Sequence, residues 1–314
     1  MTLPPLLVIA GATATGKTGL SIALARALTL DGVTAEIISA DSRQVYRGLD
    51  IGTAKASPES RADVRHHGLD LVDPNEPFTL ADFATHAQGA LAGIAAKGGI
   101  AILVGGTGLY VRAVGRGIDT DALPSDPELR AKLESDLARD GLAPLVTRLE
   151  ATAPRRAGRT DLRNPRRVVR ALEIAELEGD RESPPPRGYR GPATWIGLSV
   201  EHATHRDWIA ARARAQFEAG LVDEARVLRE RFDVTLPAFS AIGYREAWAV
   251  LDGTLSVEAA IAEDARRNVG FAKRQRTWFR SEPGIEWLDA ADGEAAIAAA
   301  LARARELITV AEPR

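Results

Sequence analysis

The chain has 314 residues, of which 45% are hydrophobic and 26% charged, and its formal net charge is −3. This composition excludes an intrinsically disordered chain and a uniformly basic nucleic-acid-binding protein, although it leaves room for a local basic surface. Without cysteine the chain can form neither disulfides nor a cysteine-ligated zinc site. No segment approaches the ~20 apolar residues that span a membrane, and the N-terminus lacks the features of a signal peptide. We therefore expect a soluble, cytoplasmic protein with no membrane partner.

Short apolar segments alternate with helical patterns in the first third of the chain. Strands are predicted at 6–10, 36–39 and 100–104, each followed by a polar or glycine-rich turn. A helix is predicted at 19–28, and Thr79 with Asp82 forms the capping box of another helix. This alternation predicts a parallel α/β sheet.

The middle of the chain, 123–190, carries only helical patterns. Asp126 and Asn164 each precede a proline, which is the usual arrangement of an N-cap and the first helical residue. A proline-rich connector at 183–188 ends this stretch. We interpret it as a helical insertion.

Beyond the insertion, a strand at 195–200 is expected to rejoin the sheet, and the pattern after Glu201 is helical almost to the end of the chain. The predicted domains are therefore a core formed by 1–122 with 191–314 and an insertion at 123–190. The predicted fold is α/β, a P-loop NTPase-like parallel sheet flanked by helices, with a helical insertion domain and a helical C-terminal region.

A phosphate-binding loop follows the first predicted strand and precedes the first predicted helix. It matches G-x-x-x-x-G-K-[ST] with Gly11, Ala12, Thr13, Ala14, Thr15, Gly16, Lys17 and Thr18. Backbone amides and the helix N-terminus of such a loop bind phosphate oxygens, the lysine adds a positive charge, and the threonine hydroxyl can ligate Mg²⁺. The motif does not distinguish a nucleoside triphosphate from another phosphate ester.

Polar residues follow the next two strands. Asp41 lies at the end of the strand 36–39, on the edge where open α/β sheets bind ligands, and is a candidate general base or Mg²⁺ ligand. An aspartate that only caps a turn would give the same pattern. Thr107, in the glycine-rich turn after the strand 100–104, offers a hydroxyl to the same cleft.

These residues belong to a longer series of blocks that resembles the tRNA dimethylallyltransferase (tRNA isopentenyltransferase) family. The blocks comprise 11–18, 39–55, His66 and His67 with Asp73 and Pro74, 104–110, Asp126 with Arg130, Arg167 with 170–173, 220–224, 241–246, 272–275 and 277–280. They occur in the family's order and span nearly the whole chain.

The resemblance implies transfer of a dimethylallyl group from dimethylallyl diphosphate to the exocyclic amine of an adenosine. The acceptor would be the adenosine 3′ of the anticodon in tRNAs reading codons that start with U, and the products N6-isopentenyladenosine and pyrophosphate. By the same resemblance, the phosphate loop binds the diphosphate with Mg²⁺, and the catalytic residues are Asp41 as general base, Thr107 and Arg212. A monomer is expected.

Basic residues crowd the predicted insertion, with seven arginines between 155 and 170. A solvated helix face is the usual explanation of such a run, but the family's tRNA-binding insertion favours contact with the anticodon stem-loop. The predicted tRNA-binding residues are Asp41, Ser42, Arg43, Gln44, Thr107, Arg130, Arg166, Arg167, Val168, Val169, Arg170, Arg245, Lys273 and Arg274. Phe271 and Trp278 are expected in the core, and His66 and His67 are given no catalytic task.

Two other functions share the phosphate loop. A small-molecule or nucleoside kinase would use the same loop and an aspartate at a strand end, but would not need the arginine-rich insertion. A GTP-dependent RNA-binding switch would need a guanine-specificity motif such as N-K-x-D, which this sequence lacks.

Overall fold

The computed structural model describes residues 3–120, 124–181 and 185–311. Its six strands form one parallel sheet, in which the order is β3-β2-β4-β1-β5-β6. The strands are β1 (Leu6–Gly11), β2 (Ala35–Ser39), β3 (His66–His67), β4 (Ile100–Gly105), β5 (Ala193–Ser199) and β6 (Ile285–Asp289). The predicted parallel α/β sheet and the strands β1, β2, β4 and β5 are confirmed.

Helices make up most of the remaining described chain. The first four are α1 (Lys17–Leu30), α2 (Pro58–Asp63), α3 (Leu80–Ala96) and α4 (Gly108–Gly115). The next four are α5 (Pro127–Asp140), α6 (Leu142–Thr152), α7 (Pro154–Ala157) and α8 (Pro165–Glu178). The last five are α9 (His202–Glu218), α10 (Leu221–Arg231), α11 (Tyr244–Leu251), α12 (Val257–Arg280) and α13 (Gly293–Ala311). None of the described helices is both long and apolar enough to span a membrane.

The helix starts follow the sequence signals. Thr79 and Asp82 form the predicted capping box, and the side chains of Asp126 and Asn164 accept hydrogen bonds from the first turns of α5 and α8. These bonds satisfy backbone amides that have no partner inside the helix, so each cap fixes where its helix begins.

The chain divides into two compact units, which we call the core unit (Met1–Gly117 with Gly188–Arg314) and the helical unit (Ile118–Arg187). The predicted insertion began at Leu123, which lies outside the described residues, as do Ser183 and Pro184 of the predicted proline-rich connector.

Both faces of the central strands are buried, which explains why these strands read as continuous apolar runs. On β1, Leu6 and Val8 join a cluster with α3, α4 and the helices α9 to α12, whereas Leu7 and Ile9 join a cluster with α1 and α13. The helical unit has its own apolar cluster, which includes Leu133, Leu149 and Leu172.

Two strands were missed by the sequence interpretation. The C-terminal region is not wholly helical, because Ile285–Asp289 pairs with β5 as the edge strand β6. Only five residues long, with three of them exposed, β6 shows no strong period-two pattern. The strand β3 has only two residues, and pairing with β2 rather than local propensity defines it.

Candidate functional site

The phosphate loop joins β1 to α1 at the edge of the sheet where the parallel strands end. Gly11 has a positive φ of 146°, and a Cβ there would lie 2.8 Å from the carbonyl oxygen of Leu198. Gly16 adopts the left-handed conformation at the N-cap of α1. Both glycines are therefore required by the backbone path, which leaves the amides of the loop and of the helix start to bind an anion.

Three side chains from the C-terminal half of the core unit hold Thr13 in this loop. The Thr13 amide donates to Gln275 Oε1 at 2.7 Å, and its carbonyl oxygen lies 2.8 Å from His205 Nε2. Arg212 Nη1 donates to Thr13 Oγ1 at 2.6 Å. Gln275 Nε2 also donates to the carbonyl oxygen of Gly106, so α12 links the phosphate loop to the turn after β4.

The cations at the loop, Lys17 and Arg212, are half-buried and line the cavity beside it. The ammonium of Lys17 donates to the carbonyl oxygen of Ala12 at 2.5 Å. Burial and the nearby charge of Arg212 lower the pKa of Lys17 from 10.5 to about 7, although Asp41 acts in the opposite direction. Burial also lowers the pKa of Arg212. A bound anion would raise the pKa of both groups again, because it supplies a negative charge next to them.

Asp41 begins the segment that follows β2. Its Oδ1 accepts a hydrogen bond from the amide of Arg43 at 2.8 Å, and Thr107 Oγ1 accepts one from the amide of Ser42 at 3.0 Å. Gln44 is engaged within the protein: its Nε2 donates to the carbonyl oxygen of Thr53 at 3.0 Å, and its Oε1 accepts from the hydroxyl of Ser39. The Gln44 side chain thus holds the segment in place.

Two cavities meet at this edge of the sheet. The donor cavity, of about 240 Å³, is lined by the phosphate loop with Thr18, and the acceptor cavity, of about 660 Å³, is lined by Ser42, Thr107 and Trp278 among others. Seven residues line both cavities: Thr13, Asp41, Thr53, Gly106, Arg212, Phe271 and Gln275. The candidate base and the candidate diphosphate-binding arginine therefore stand where the two cavities adjoin.

Further predicted residues lie around these cavities. Arg43 and Arg274 line the acceptor cavity, whereas Arg245 and Lys273 are exposed and line neither cavity. Phe271 and Trp278, which the sequence placed in the core, line the acceptor cavity, although Trp278 also packs against the apolar cluster. Their side chains border empty space, so the expectation of core residues was incomplete.

The predicted tRNA-binding residues of the helical unit fall into three groups. Val168 and Val169 are buried in its apolar cluster, on the apolar face of α8, and their contact with tRNA stays a prediction. Arg130 and Arg170 hold the fully buried carboxylate of Glu173, at 2.9 and 2.8 Å. Arg166 and Arg167 are exposed, and Arg167 lies 4.0 Å from Asp161.

The sequence interpretation missed several residues of the site. Gln275 was recognised only as part of a family block, and His205, Asn268 and Asp264 were not singled out. His66, given no task, lines the donor cavity. No local pattern identifies such residues, because their partners are distant in sequence, as the 262-residue separation of Thr13 and Gln275 shows.

The chain matches known proteins over most of its length. The model of the IPP transferase family matches residues 44–282. The chain belongs to this family. It is 47% identical to a tRNA dimethylallyltransferase of Anaeromyxobacter sp. (strain K) over 291 residues, covering 90% of this chain and 92% of that relative. A tRNA dimethylallyltransferase of Symbiobacterium thermophilum is 43% identical, covering 93% and 91%.

Solved structures agree with this assignment. A tRNA isopentenylpyrophosphate transferase of Bacillus halodurans superimposes with a TM-score of 0.69 at 38% identity, covering 97% of this chain and 96% of that one. A eukaryotic dimethylallyltransferase with a TM-score of 0.79 and 24% identity supports the fold alone. The predicted family, the P-loop NTPase-like fold and the enzyme class of tRNA prenyltransferase are confirmed.

Proposed function

We propose that this enzyme transfers a dimethylallyl group from dimethylallyl diphosphate to N6 of the adenosine 3′ of the anticodon, in tRNAs that read codons starting with U. The products are N6-isopentenyladenosine and pyrophosphate. The observation that carries the proposal is the position of Asp41 and Arg212 in the walls of both cavities. A carboxylate between a phosphate loop and a second cavity suits a reaction that joins a phosphorylated donor to a protonated nucleophile.

On the donor side, the phosphate loop binds the diphosphate of the prenyl donor. The amides at the start of α1 donate to its oxygens, and Lys17 and Arg212 supply positive charge. As the bond between the allylic carbon and the diphosphate oxygen breaks, negative charge accumulates on the leaving pyrophosphate. These half-buried cations stabilise that charge more strongly than water would.

On the acceptor side, N6 of the adenine attacks the allylic carbon and a new C–N bond forms. The nitrogen then loses a proton, which the carboxylate of Asp41 accepts. Thr107 fixes the segment that carries Asp41 through the amide of Ser42. The base must leave its stack to reach Asp41, and the acceptor cavity of about 660 Å³ is large enough for an adenine.

Mg²⁺ is the proposed cofactor. The hydroxyl of Thr18 lines the donor cavity, and an oxygen donor of this kind suits a cation that takes most of its ligands from phosphate and water. Among the described residues, no three histidine or acidic side chains form a protein-only metal site. Bound Mg²⁺ would neutralise charge on the diphosphate.

The anticodon stem-loop is the proposed partner of the exposed cations. Arg166 and Arg167 on the helical unit, and Arg245, Lys273 and Arg274 on the core unit, present positive charge to solvent. Phosphate contacts of this type give affinity and register. We further propose that the enzyme acts in the cytoplasm as a monomer.

The product identifies the reaction directly. The protein is incubated with dimethylallyl diphosphate, Mg²⁺ and unmodified tRNA, and the digested tRNA is examined by mass spectrometry for N6-isopentenyladenosine. The matched control is the same tRNA with guanosine in place of the adenosine 3′ of the anticodon, which should give no product. Absence of product on the adenosine tRNA, with a related enzyme active in parallel, would favour the alternative of a P-loop small-molecule or nucleoside kinase.

A further inference from the structure

A buried polar chain runs from α12 to the phosphate loop through Arg212. Asn268 Nδ2 donates to Asp264 Oδ1 at 2.8 Å, and Asn268 Oδ1 accepts from Arg212 Nη2 at 3.2 Å. Arg212 Nη1 in turn donates to the Thr13 hydroxyl. Asp264 and Asn268 are 1% and 5% exposed, so this series of hydrogen bonds is shielded from water until it reaches the cavities.

Two charged groups in this series of hydrogen bonds have buried atoms without a partner in the described part of the chain. Among the described residues, neither Asp264 Oδ2 nor Arg212 Nε has a hydrogen-bond partner, although both atoms are buried. The pKa of Asp264 is raised from 3.8 to about 6, because burial and the charge of Glu246 outweigh Asn268, Arg212 and Arg267, which lower it. A buried carboxylate in this condition destabilises the fold when ionised, which points to a role other than stability.

Asp264 determines which way the amide of Asn268 faces. An ionised carboxylate only accepts hydrogen bonds, so it binds the NH₂ group of Asn268 and turns the carbonyl oxygen toward Arg212. The opposite orientation would bring two NH₂ groups together at Arg212 and two oxygens together at Asp264. Arg212 therefore has a defined acceptor on one side and Thr13 on the other, and its guanidinium is fixed against the donor cavity.

We propose that Asn268, with its amide oriented by Asp264, is a positioning residue that aims Arg212 at the diphosphate. This inference rests on the proposed function, because it requires a diphosphate in the donor cavity. Neither residue donates to the diphosphate in this arrangement. They restrict Arg212 to one rotamer before the ligand binds, so less conformational entropy is lost on binding.

The arrangement depends on pH. When Asp264 gains a proton it can donate to the carbonyl oxygen of Asn268, which competes with Arg212 for that oxygen and releases the amide orientation. The other charged groups that face Asp264 are Glu246 from α11, Arg267 from α12 and Arg212 from α9. The positioning effect is therefore present at pH 8 and lost at pH 5.

Binding of inorganic pyrophosphate tests the proposal without requiring catalysis. Dissociation constants with Mg²⁺ are measured by calorimetry at pH 8 and pH 5 for the natural protein and for Asn268→Ala. The ratio of the two constants is the informative quantity, because the ionisation of pyrophosphate itself cancels. We expect Asn268→Ala to bind about 3–10 times more weakly at pH 8, the worth of about one hydrogen bond, and equally at pH 5.

Two further variants separate positioning from general effects. In an Asp264→Asn background, which cannot titrate, adding Asn268→Ala should change affinity by the same factor at both pH values. The matched control is Glu36→Gln, which changes another buried carboxylate, on β2, whose partners His67 and Lys97 line neither cavity. It should bind pyrophosphate like the natural protein. Asn268→Leu replaces the alanine variant if the latter does not fold.

A ratio near one at pH 8, or a ratio that is the same at pH 8 and pH 5 in the natural background, would overturn the positioning role while leaving the proposed function intact. Failure of the natural protein to bind pyrophosphate at either pH would instead contradict the proposed function, and the positioning role with it.

Discussion

Two buried carboxylates, one in each unit, differ in how their charge is compensated. Burial acts to raise the pKa of Glu173, but hydrogen bonds from Arg130 and Arg170 and from the amide of Asp126 outweigh it and leave the pKa below its ordinary value. For Asp264 burial prevails and the pKa rises to about 6. The helical unit thus satisfies its buried charge, whereas the core unit leaves charge uncompensated beside the site where the diphosphate is proposed to bind.

The comparison separates two uses of buried charge. A fully paired carboxylate such as Glu173 fixes the packing of α5 against α8, because one of its arginine partners lies on each helix. The cations and carboxylates around the donor cavity are left available to bind a ligand. Uncompensated charge lowers the stability of the folded protein, a loss that proteins tolerate at a functional site. A change at Glu173 should therefore lower stability, whereas changes around the donor cavity should lower activity or ligand binding without lowering stability.

The largest effect is expected at Asp41. Asp41→Asn should lower turnover by roughly 10² to 10⁴, the usual contribution of a general base, while leaving tRNA affinity unchanged. The asparagine keeps an acceptor for the amide of Arg43, so the segment should retain its shape. Single-turnover rates and filter binding on the same preparation measure the two quantities, and near-normal turnover would remove Asp41 from this role.

The next effect concerns stability of the helical unit. Glu173→Gln should lower the free energy of unfolding by about 2–4 kcal/mol at pH 7, because two arginines lose their common partner. The folded pKa lies below the unfolded value, so this stabilisation is present above pH ~4.5 and lost as the pH falls through the folded pKa. Urea denaturation at pH 7 and pH 3 measures the difference between variant and natural protein. An equal difference at the two pH values would contradict the explanation.

Asp264→Asn should have the opposite sign. Because the pKa of Asp264 is higher in the folded than in the unfolded protein, stability falls as the pH rises from 3.8 to about 6. The asparagine variant should be more stable than the natural protein by about 1–3 kcal/mol at pH 8 and equally stable below pH 4. Melting curves at the two pH values measure this, and destabilisation at pH 8 would show that Asp264 is compensated after all.

The sequence predicted the local features of both regions and missed their long-range partners. The phosphate loop, Asp41 and the helix caps follow from motifs and short-range hydrogen bonding, so the structure places them where the sequence predicted. The roles of the loop and of Asp41 stay predictions. The pairing of Arg212 with Asn268 and that of Thr13 with Gln275 depend on how α9 and α12 pack, which no local pattern encodes. Arg130 and Arg170 carried the right charge for RNA, yet a buried glutamate holds them.

Burial also divides the predicted tRNA contacts of the helical unit. The block around Arg167 was carried over whole, although adjacent residues on a helix face different directions. Val168 and Val169 lie on the apolar face, while Arg166 and Arg167 remain exposed. The exposed arginines lie in the first turn of α8, whereas most of the helix after them is buried.

The smallest effect is expected at the exposed face of the helical unit. Arg167→Ala should weaken tRNA binding a few-fold and reduce the salt slope by about one phosphate contact, with pyrophosphate binding unchanged. The matched control is Arg139→Ala in the same unit, because Asp136 and Asp140 already neutralise that arginine. Binding measured across a range of salt concentrations gives the slope, and an unchanged slope for Arg167→Ala would mean a solvated helix face.

The central claim is that the uncompensated charge around the donor cavity of the core unit binds a prenyl diphosphate. The most direct test is the melting temperature of the natural protein with Mg²⁺ and either dimethylallyl diphosphate or ATP. We expect dimethylallyl diphosphate to raise it, since a ligand at 100 times its dissociation constant stabilises by about 2.7 kcal/mol, and ATP at the same concentration to raise it less. Stabilisation by ATP alone would contradict the claim and favour a kinase.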